Sequence, residues 1–199
     1  MDAERLPHAR SADGSLALRP LASDDRERLL DWRNRPHVAR HMYTEHEIST
    51  EEHAAWFERA LTDPARRYWI ILADGVEIGL VNLYDIDPAH GRCALAIYIA
   101  ELDRRGKGIG TFVDYAVLSY VFDRLDFNRI CCEVLAENDP GWRIHLKCGF
   151  TLEGRLRRHI RKGNAYHDVV LLAMLQQEWP SARRMLERKL GDRGLSLNP

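Results

Sequence analysis

Apolar positions along this chain repeat with two different periods, and the switches between them divide it into elements. "SLALRPL" (Ser15 to Leu21) alternates as a strand does. Ser23, Asp24 and Asp25 then make a good helix start, with acids set to meet the positive end of the dipole, and that helix is expected to run to about Asn34. In "STEEHAAWFERAL", Ser49 and Glu52 stand at capping-box spacing and predict a second helix over about Thr50 to Thr62. The period then turns strand-like. "RYWIILADGVEIGLVNLYDID" is two β-rich runs joined by Asp74-Gly75, a dipeptide that supplies positive φ in a tight hairpin. After "DPAHG", the run "RCALAIYIA" (Arg92 to Ala100) completes an antiparallel meander of three strands.

A different unit follows. "ELDRRGKGIGTFVDYAV" opens a helix over about Gly108 to Arg124, which leads into the apolar strand "RICCEVLA" and a short helix ending at Lys147-Cys148-Gly149, where Gly149 suits a left-handed cap. Strand, glycine loop, helix and strand make one crossover unit. The strands "FTLEGRLRRHI" and "YHDVVLLAML", around the turn "RKGNA", close the pattern before a charged helical tail. Meander, crossover and hairpin in that order predict a mixed α/β (α+β) domain over residues 15–179, between a loose tail at 1–14 and a helical tail at 180–199.

Composition narrows the chemistry. With 199 residues and 45% hydrophobic content, the chain suffices for one core and is short for two. The 29 Lys and Arg residues nearly cancel the 30 Asp and Glu residues, so no global field draws it to nucleic acid or an anionic membrane. Any anion site must be local. No apolar run approaches the ~20 residues of a membrane helix, and the start lacks a secretory pattern, so a cytoplasmic protein is expected. Cys93, Cys131, Cys132 and Cys148 lack CxxC spacing and read as small hydrophobes, with no metal role; Trp32 and Trp69 read as core.

The glycine loop is the candidate anion site, because glycines at a helix start let backbone N–H groups approach a phosphate. It is not a P-loop, since no GxxxxGK[ST] occurs, and Gly106, Gly108 and Gly110 spell GxGxG where a dinucleotide fingerprint has GxGxxG. A fold with one crossover unit also lacks the repeated units that a doubly wound sheet needs.

The order of elements, the loop Arg105-Gly106-Lys107-Gly108-Ile109-Gly110 and the segment "AENDPGWRIHLKCGF" together resemble the GNAT superfamily of N-acetyltransferases over about Leu16 to Trp179. The resemblance implies a mostly antiparallel central sheet, flanked by helices and splayed between strands 4 and 5, that binds acetyl-CoA. Arg104, Arg105, Gly106, Lys107, Gly108, Ile109, Gly110 and Thr111 would cradle the pyrophosphate of coenzyme A. Backbone groups of Ile97 and Ile99, with Asn138 and Lys147, would meet the cofactor's arm. "WRNRPHVARHMYTEHEISTEEHAAWF" and "RLRRHIRKGNAYHDVVLLAMLQQEW" look like the branch that acetylates the 4-amino group of a UDP-4-amino-4,6-dideoxy-N-acetylhexosamine in pseudaminic acid biosynthesis. The C-terminal pattern is shared with acetyltransferases of ribosomal-protein N-termini, while "MYTEHEIS" favours the sugar enzyme.

Amide formation at an amine needs a base, a polarised carbonyl and a proton for the thiolate. Glu133, mid-strand among apolar residues, is the candidate base; its plainer reading is a strand residue facing solvent. Seven residues after its Asn the family commonly places an acidic tyrosine, and here His145 stands instead. His145 is the candidate acid, with Tyr98 able to relay the proton or hold the acceptor. Met42, Tyr43, His46 and Trp56 are the candidate acceptor wall, and Arg157, Arg158, His159 and Lys162 form a basic cluster that could meet a nucleotide diphosphate. Three functions stay open: a nucleotide-sugar N-acetyltransferase, an N-terminal acetyltransferase of the ribosomal type, and a non-enzymatic acyl-CoA binder. A monomer or homodimer is expected in each case.

Overall fold

The computed structural model describes residues 9–104 and 108–196. A first strand, β1 (Leu16–Pro20), is followed by a 3-10 turn at Ser23–Asp25 and the helices α1 (Arg26–Asn34), α2 (Pro36–Ala39) and α3 (Thr50–Thr62). The meander is β2 (Arg67–Ala73), β3 (Val76–Asp87) and β4 (Arg92–Ile99); the crossover is α4 (Ile109–Ser119) into β5 (Arg129–Leu135). Then come α5 (Asp139–Lys147), the hairpin β6 (Thr151–Lys162) and β7 (Ala165–Leu175), and α6 (Trp179–Gly191).

These strands form one seven-stranded sheet in the order β1-β2-β3-β4-β5-β7-β6. Neighbours are antiparallel except β4 and β5, which run parallel and pair only at Arg92↔Arg129, Cys93↔Ile130 and Ala94↔Cys131. Beyond Ala94 the two strands part, which is the splay that the sequence led us to expect. Two apolar clusters hold the halves of the molecule. The larger joins the sheet to α4, α5 and α6 through Phe112, Leu118, Ile130, Leu172 and Leu186, and the smaller joins the other face to α1 and α3 through Leu29, Trp32, Phe57 and Ile70.

Local chemistry explains the boundaries. The Ser49 side chain accepts the Glu52 N–H at 3.2 Å and starts α3. Asp74 and Gly75, at φ 52° and 76°, make the β2–β3 turn, and Gly149 at φ 101° ends α5. Asp25 does more than face a dipole. It is buried and accepts two 2.7 Å hydrogen bonds from the Arg19 guanidinium, pinning α1 to β1. The helix expected over Gly108 to Arg124 begins at Ile109 and finishes as a π-turn at Tyr120–Arg124.

One expectation needs correction. Residues 9–14 are not a loose tail: Ser11 is buried and bonded to Leu16, and the Ala12 N–H donates to the Ser196 carbonyl at 2.6 Å. The charged C-terminal helix packs, because Trp179, Ala182, Leu186 and Leu190 bury one stripe of it against the core.

One glycine governs the spacing of β3 and β4. A Cβ at Gly79 would lie 2.3 Å from the Tyr98 carbonyl oxygen. Gly79→Ala is therefore expected to force the strands apart at Tyr98 and to cost about 2 kcal/mol, seen as a lower denaturant midpoint at unchanged slope; unchanged stability would show that β3 and β4 can separate freely there.

Candidate active site

The anion loop leads into α4. Gly108 sits at φ 84°, a conformation that favours glycine, and its carbonyl accepts the first helical bond from Phe112 at 2.9 Å. Ile109, Gly110 and Thr111 form the first turn, whose N–H groups have no intrahelical partners to donate to. A Cβ at Gly110 would come within 3.0 Å of Ile144 on α5, and one at Gly108 within 3.0 Å of Leu195. The two glycines thus let α5 and the C-terminal segment pack closely against the start of α4. Arg104 reaches Asp74 at 3.4 Å, while Arg105, Gly106 and Lys107 lie outside the described residues.

The splay carries titratable groups on both faces of β5. Past the last pair, Ala94↔Cys131, successive β5 residues point to opposite sides. Cys132 belongs to the larger core beneath α4 and α5, and Glu133 is exposed on the α1–α3 side. Glu133 accepts a 2.9 Å hydrogen bond from the Tyr43 hydroxyl. Burial, with the Glu133 charge added, pushes the phenols of Tyr43 and Tyr84 upward, so both stay protonated as donors. On β4, Ile97 and Ile99 pack toward the larger core, and Tyr98 packs with the smaller one, edge-on to Trp32 at 6.4 Å. The Tyr98 hydroxyl is buried without a hydrogen-bond partner among the described residues.

His145 lies on the opposite face from Glu133. It is 5% exposed, its Nδ1 is 3.0 Å from Asp114 Oδ2, and its ring packs on Phe150 with centroids 5.2 Å apart. Burial works against its charged form, but the Asp114 carboxylate and the neighbouring Cys132 thiol outweigh it and hold the imidazolium well above the usual histidine range. Glu133 and His145 therefore flank the same point of the splay from opposite sides.

The acceptor side is closed by the 40–48 loop. Lys162 Nζ donates to the carbonyls of Arg40 (2.9 Å) and Met42 (2.8 Å), Glu45 accepts the Gly163 N–H, and Asn34 bonds both the N–H and the carbonyl of Ile48 at 2.9 Å. These contacts seat Met42 against the smaller cluster and Tyr43 on Glu133. Other candidates are placed elsewhere. Trp56 packs in the smaller cluster with Tyr68 and His53, as core; His46 is exposed and bonds Glu52 at 2.8 Å. Lys147 is exposed at the far end of α5 from Asn138, its carbonyl taken by Lys189. Arg158, at φ 53°, lies over the Tyr166 ring in a bulge of β6 beside the exposed His159. Asn138 is the N-cap of α5, packed over Gly141.

Three residues that the sequence reading passed over join this site. Asp114 had a visible signal, as the only charged residue of α4. Tyr84 was hidden in an alternating strand, and Arg33 beside the core Trp32. Arg33 is half-buried, and burial draws its pKa below the ordinary arginine value against the pull of Tyr98 and Glu52. No carboxylate forms an ion pair with it among the described residues.

The "Acetyltransferase (GNAT) domain" family model matches residues 15–151. The chain belongs to the GNAT acetyltransferase family. It is 26% identical to the spermidine N(1)-acetyltransferase of Escherichia coli K12, over 83% of this chain and 88% of that one. Its fold matches spermidine N-acetyltransferase of Vibrio cholerae, solved with CoA and spermine, at a TM-score of 0.76 and 26% identity, covering 83% and 98% of the two chains. The acetyltransferase PseH of Campylobacter jejuni (strain 81-176) is 24% identical over 66% of this chain and 80% of its own. Membership makes this GNAT protein an acetyl-CoA-dependent N-acetyltransferase, so the non-enzymatic reading is set aside. The first-turn N–H groups of α4, which no capping side chain takes, and the unpaired β4–β5 edge fit that cofactor. Among the described residues no cluster of His, Cys, Asp and Glu could hold a metal ion, and no helix is long and apolar enough to cross a membrane.

Gly108→Ala places a side chain in the left-handed region against Leu195, at a cost of about 1–2 kcal/mol. Coenzyme A affinity by calorimetry should fall roughly tenfold, since that strain falls on the loop that must present its amides; unchanged affinity would mean that the phosphates are held elsewhere.

Proposed function

We propose that this acetyltransferase acts on the amine of an anionic acceptor, a UDP-4-amino-4,6-dideoxy-N-acetylhexosamine of the pseudaminic acid type. Arg33 carries the reading. Among the described residues, a half-buried guanidinium that Glu52 attracts without forming an ion pair, beside a Tyr98 hydroxyl that has no hydrogen-bond partner, is costly unless an anion or polar group of the acceptor meets it. A polyamine would be repelled there, although spermidine acetyltransferases are among the relatives. Met42 and Tyr43 supply the apolar wall suited to a deoxy-sugar methyl, and Arg157, Arg158 and Lys162 add positive charge on the neighbouring hairpin.

The bound cofactor supplies an activated acetyl thioester. Around it, Glu133 takes the proton of the incoming ammonium, held in place by the Tyr43 hydroxyl. The β4 backbone past Ala94, which β5 does not pair, orients the arm and polarises the carbonyl. His145 returns a proton on the other face of the splay. The amine thus approaches from the α1–α3 side and the thiol departs toward α5.

Thiol release from acetyl-CoA is the test, with the UDP-amino sugar, spermidine and N-terminal ribosomal peptides offered separately. Release is expected only with the sugar; release only with spermidine or peptide would overturn the acceptor class. Arg33→Met removes a charge-assisted contact worth about 2 kcal/mol, so the acceptor KM should rise about 30-fold with the acetyl-CoA KM unmoved. Glu133→Gln should lower turnover about 100-fold without changing coenzyme A affinity, and unchanged turnover would remove Glu133 from the mechanism.

A further inference from the structure

The buried Asp114–His145 pair has no obvious structural justification. Helix α4 is otherwise uncharged, and it meets α5 through Gly110 against Ile144 and, one turn on, Asp114 against His145, so a hydrophobic pair of similar volume would join the helices at least as well. Both charged groups are also confined. Asp114 is fully buried, with its Oδ2 3.0 Å from His145 Nδ1 and the Cys148 thiol as the other polar side chain acting on it. A carboxylate buried with so few partners is expensive, and such expense is typical of functional sites.

Location gives the expense a use. The ring neighbours Cys132, the first β5 residue beyond the last β4–β5 pair, and so stands where the sheet opens. Its Nδ1 is turned to Asp114, which leaves Nε2 as the other ring donor. We propose that Asp114 is a positioning residue for His145, forming with it a dyad that does the work of the tyrosine expected at this point of the family motif. The inference rests on the reading of His145 as acid. One proton moves: the Nε2–H bond breaks as the S–H bond of the departing thiol forms, and the imidazole is left neutral until it recovers a proton from solvent. Asp114 keeps its charge throughout, fixing the ring's orientation and favouring the imidazolium beforehand.

Few other ionisable groups face the dyad. Cys132 comes from β5 and Cys148 from the C-cap of α5; burial and the Asp114 carboxylate beside it push the Cys148 thiol up, so it stays protonated, while Lys189 of α6 acts weakly the other way. Thr111 contributes a hydroxyl beside Cys148. With one nearby anion, removal of the Asp114 charge has a definite sign: it withdraws the main influence raising the imidazole pKa, while burial, which lowers it, remains.

The test combines histidine NMR titration of the cofactor-free protein with the pH profile of kcat, using whichever amine the enzyme acetylates. Asp114→Asn should lower the His145 midpoint by at least one pH unit, a tenfold weaker hold on the proton, and should move the basic limb of kcat by the same amount. A moved midpoint with an unmoved limb would make the pair structural and overturn the proposal. Should Asp114→Asn fail to fold, the wild-type midpoint and wild-type basic limb must coincide, and a separation above one unit would equally overturn it. Failure of the acceptor assignment is read separately, because the titration needs no acceptor and the limb can be followed with any accepted amine.

Discussion

Everything at this site depends on two strands that stop pairing. β4 and β5 share three residue pairs and then part in the middle of the sheet. Backbone groups there would normally be bonded to a neighbour, so the gap is a deficit that a ligand rich in amide groups can fill. The arm of coenzyme A is such a ligand. The opening leaves β5 in place, because β7 pairs with it along its whole length on the other edge and α4 packs over the crossover.

The opening also sorts the chemistry. Alternation along β5 sends Cys132 to the helix-covered face and Glu133 to the opposite one, so in the proposed mechanism a base and an acid attend one thioester without neutralising each other. Each is held by a partner from a distant part of the chain: Tyr43 from the 40–48 loop, Asp114 from α4. The loop is in turn fastened to the last hairpin by Lys162 and Gly163. Acceptor recognition and the second half of the sheet are thereby mechanically joined.

Much of this was legible in the sequence, for identifiable reasons. Period changes located the strands, Asp74-Gly75 and Gly149 marked a turn and a cap that need left-handed backbone, and Ser49 marked a helix start. Such signals are local. What escaped was non-local: the docking of residues 9–14 on the C-terminal segment, the engagement of His46 by Glu52, and the pairing of Asp114 with His145. Arg33 escaped because a basic residue on an exposed-looking helix shows its burial only after the sheet has formed.

In the proposed mechanism the cofactor's sulfur sits between Glu133 and His145 where β4 and β5 diverge. The position of that sulfur in a crystal structure of the protein with coenzyme A tests this outright. It is expected within hydrogen-bond reach of His145 Nε2, about 3.5 Å for a sulfur acceptor, with the arm lying along β4 past Ala94. A sulfur beyond roughly 6 Å from that nitrogen, with no water between them, would contradict it.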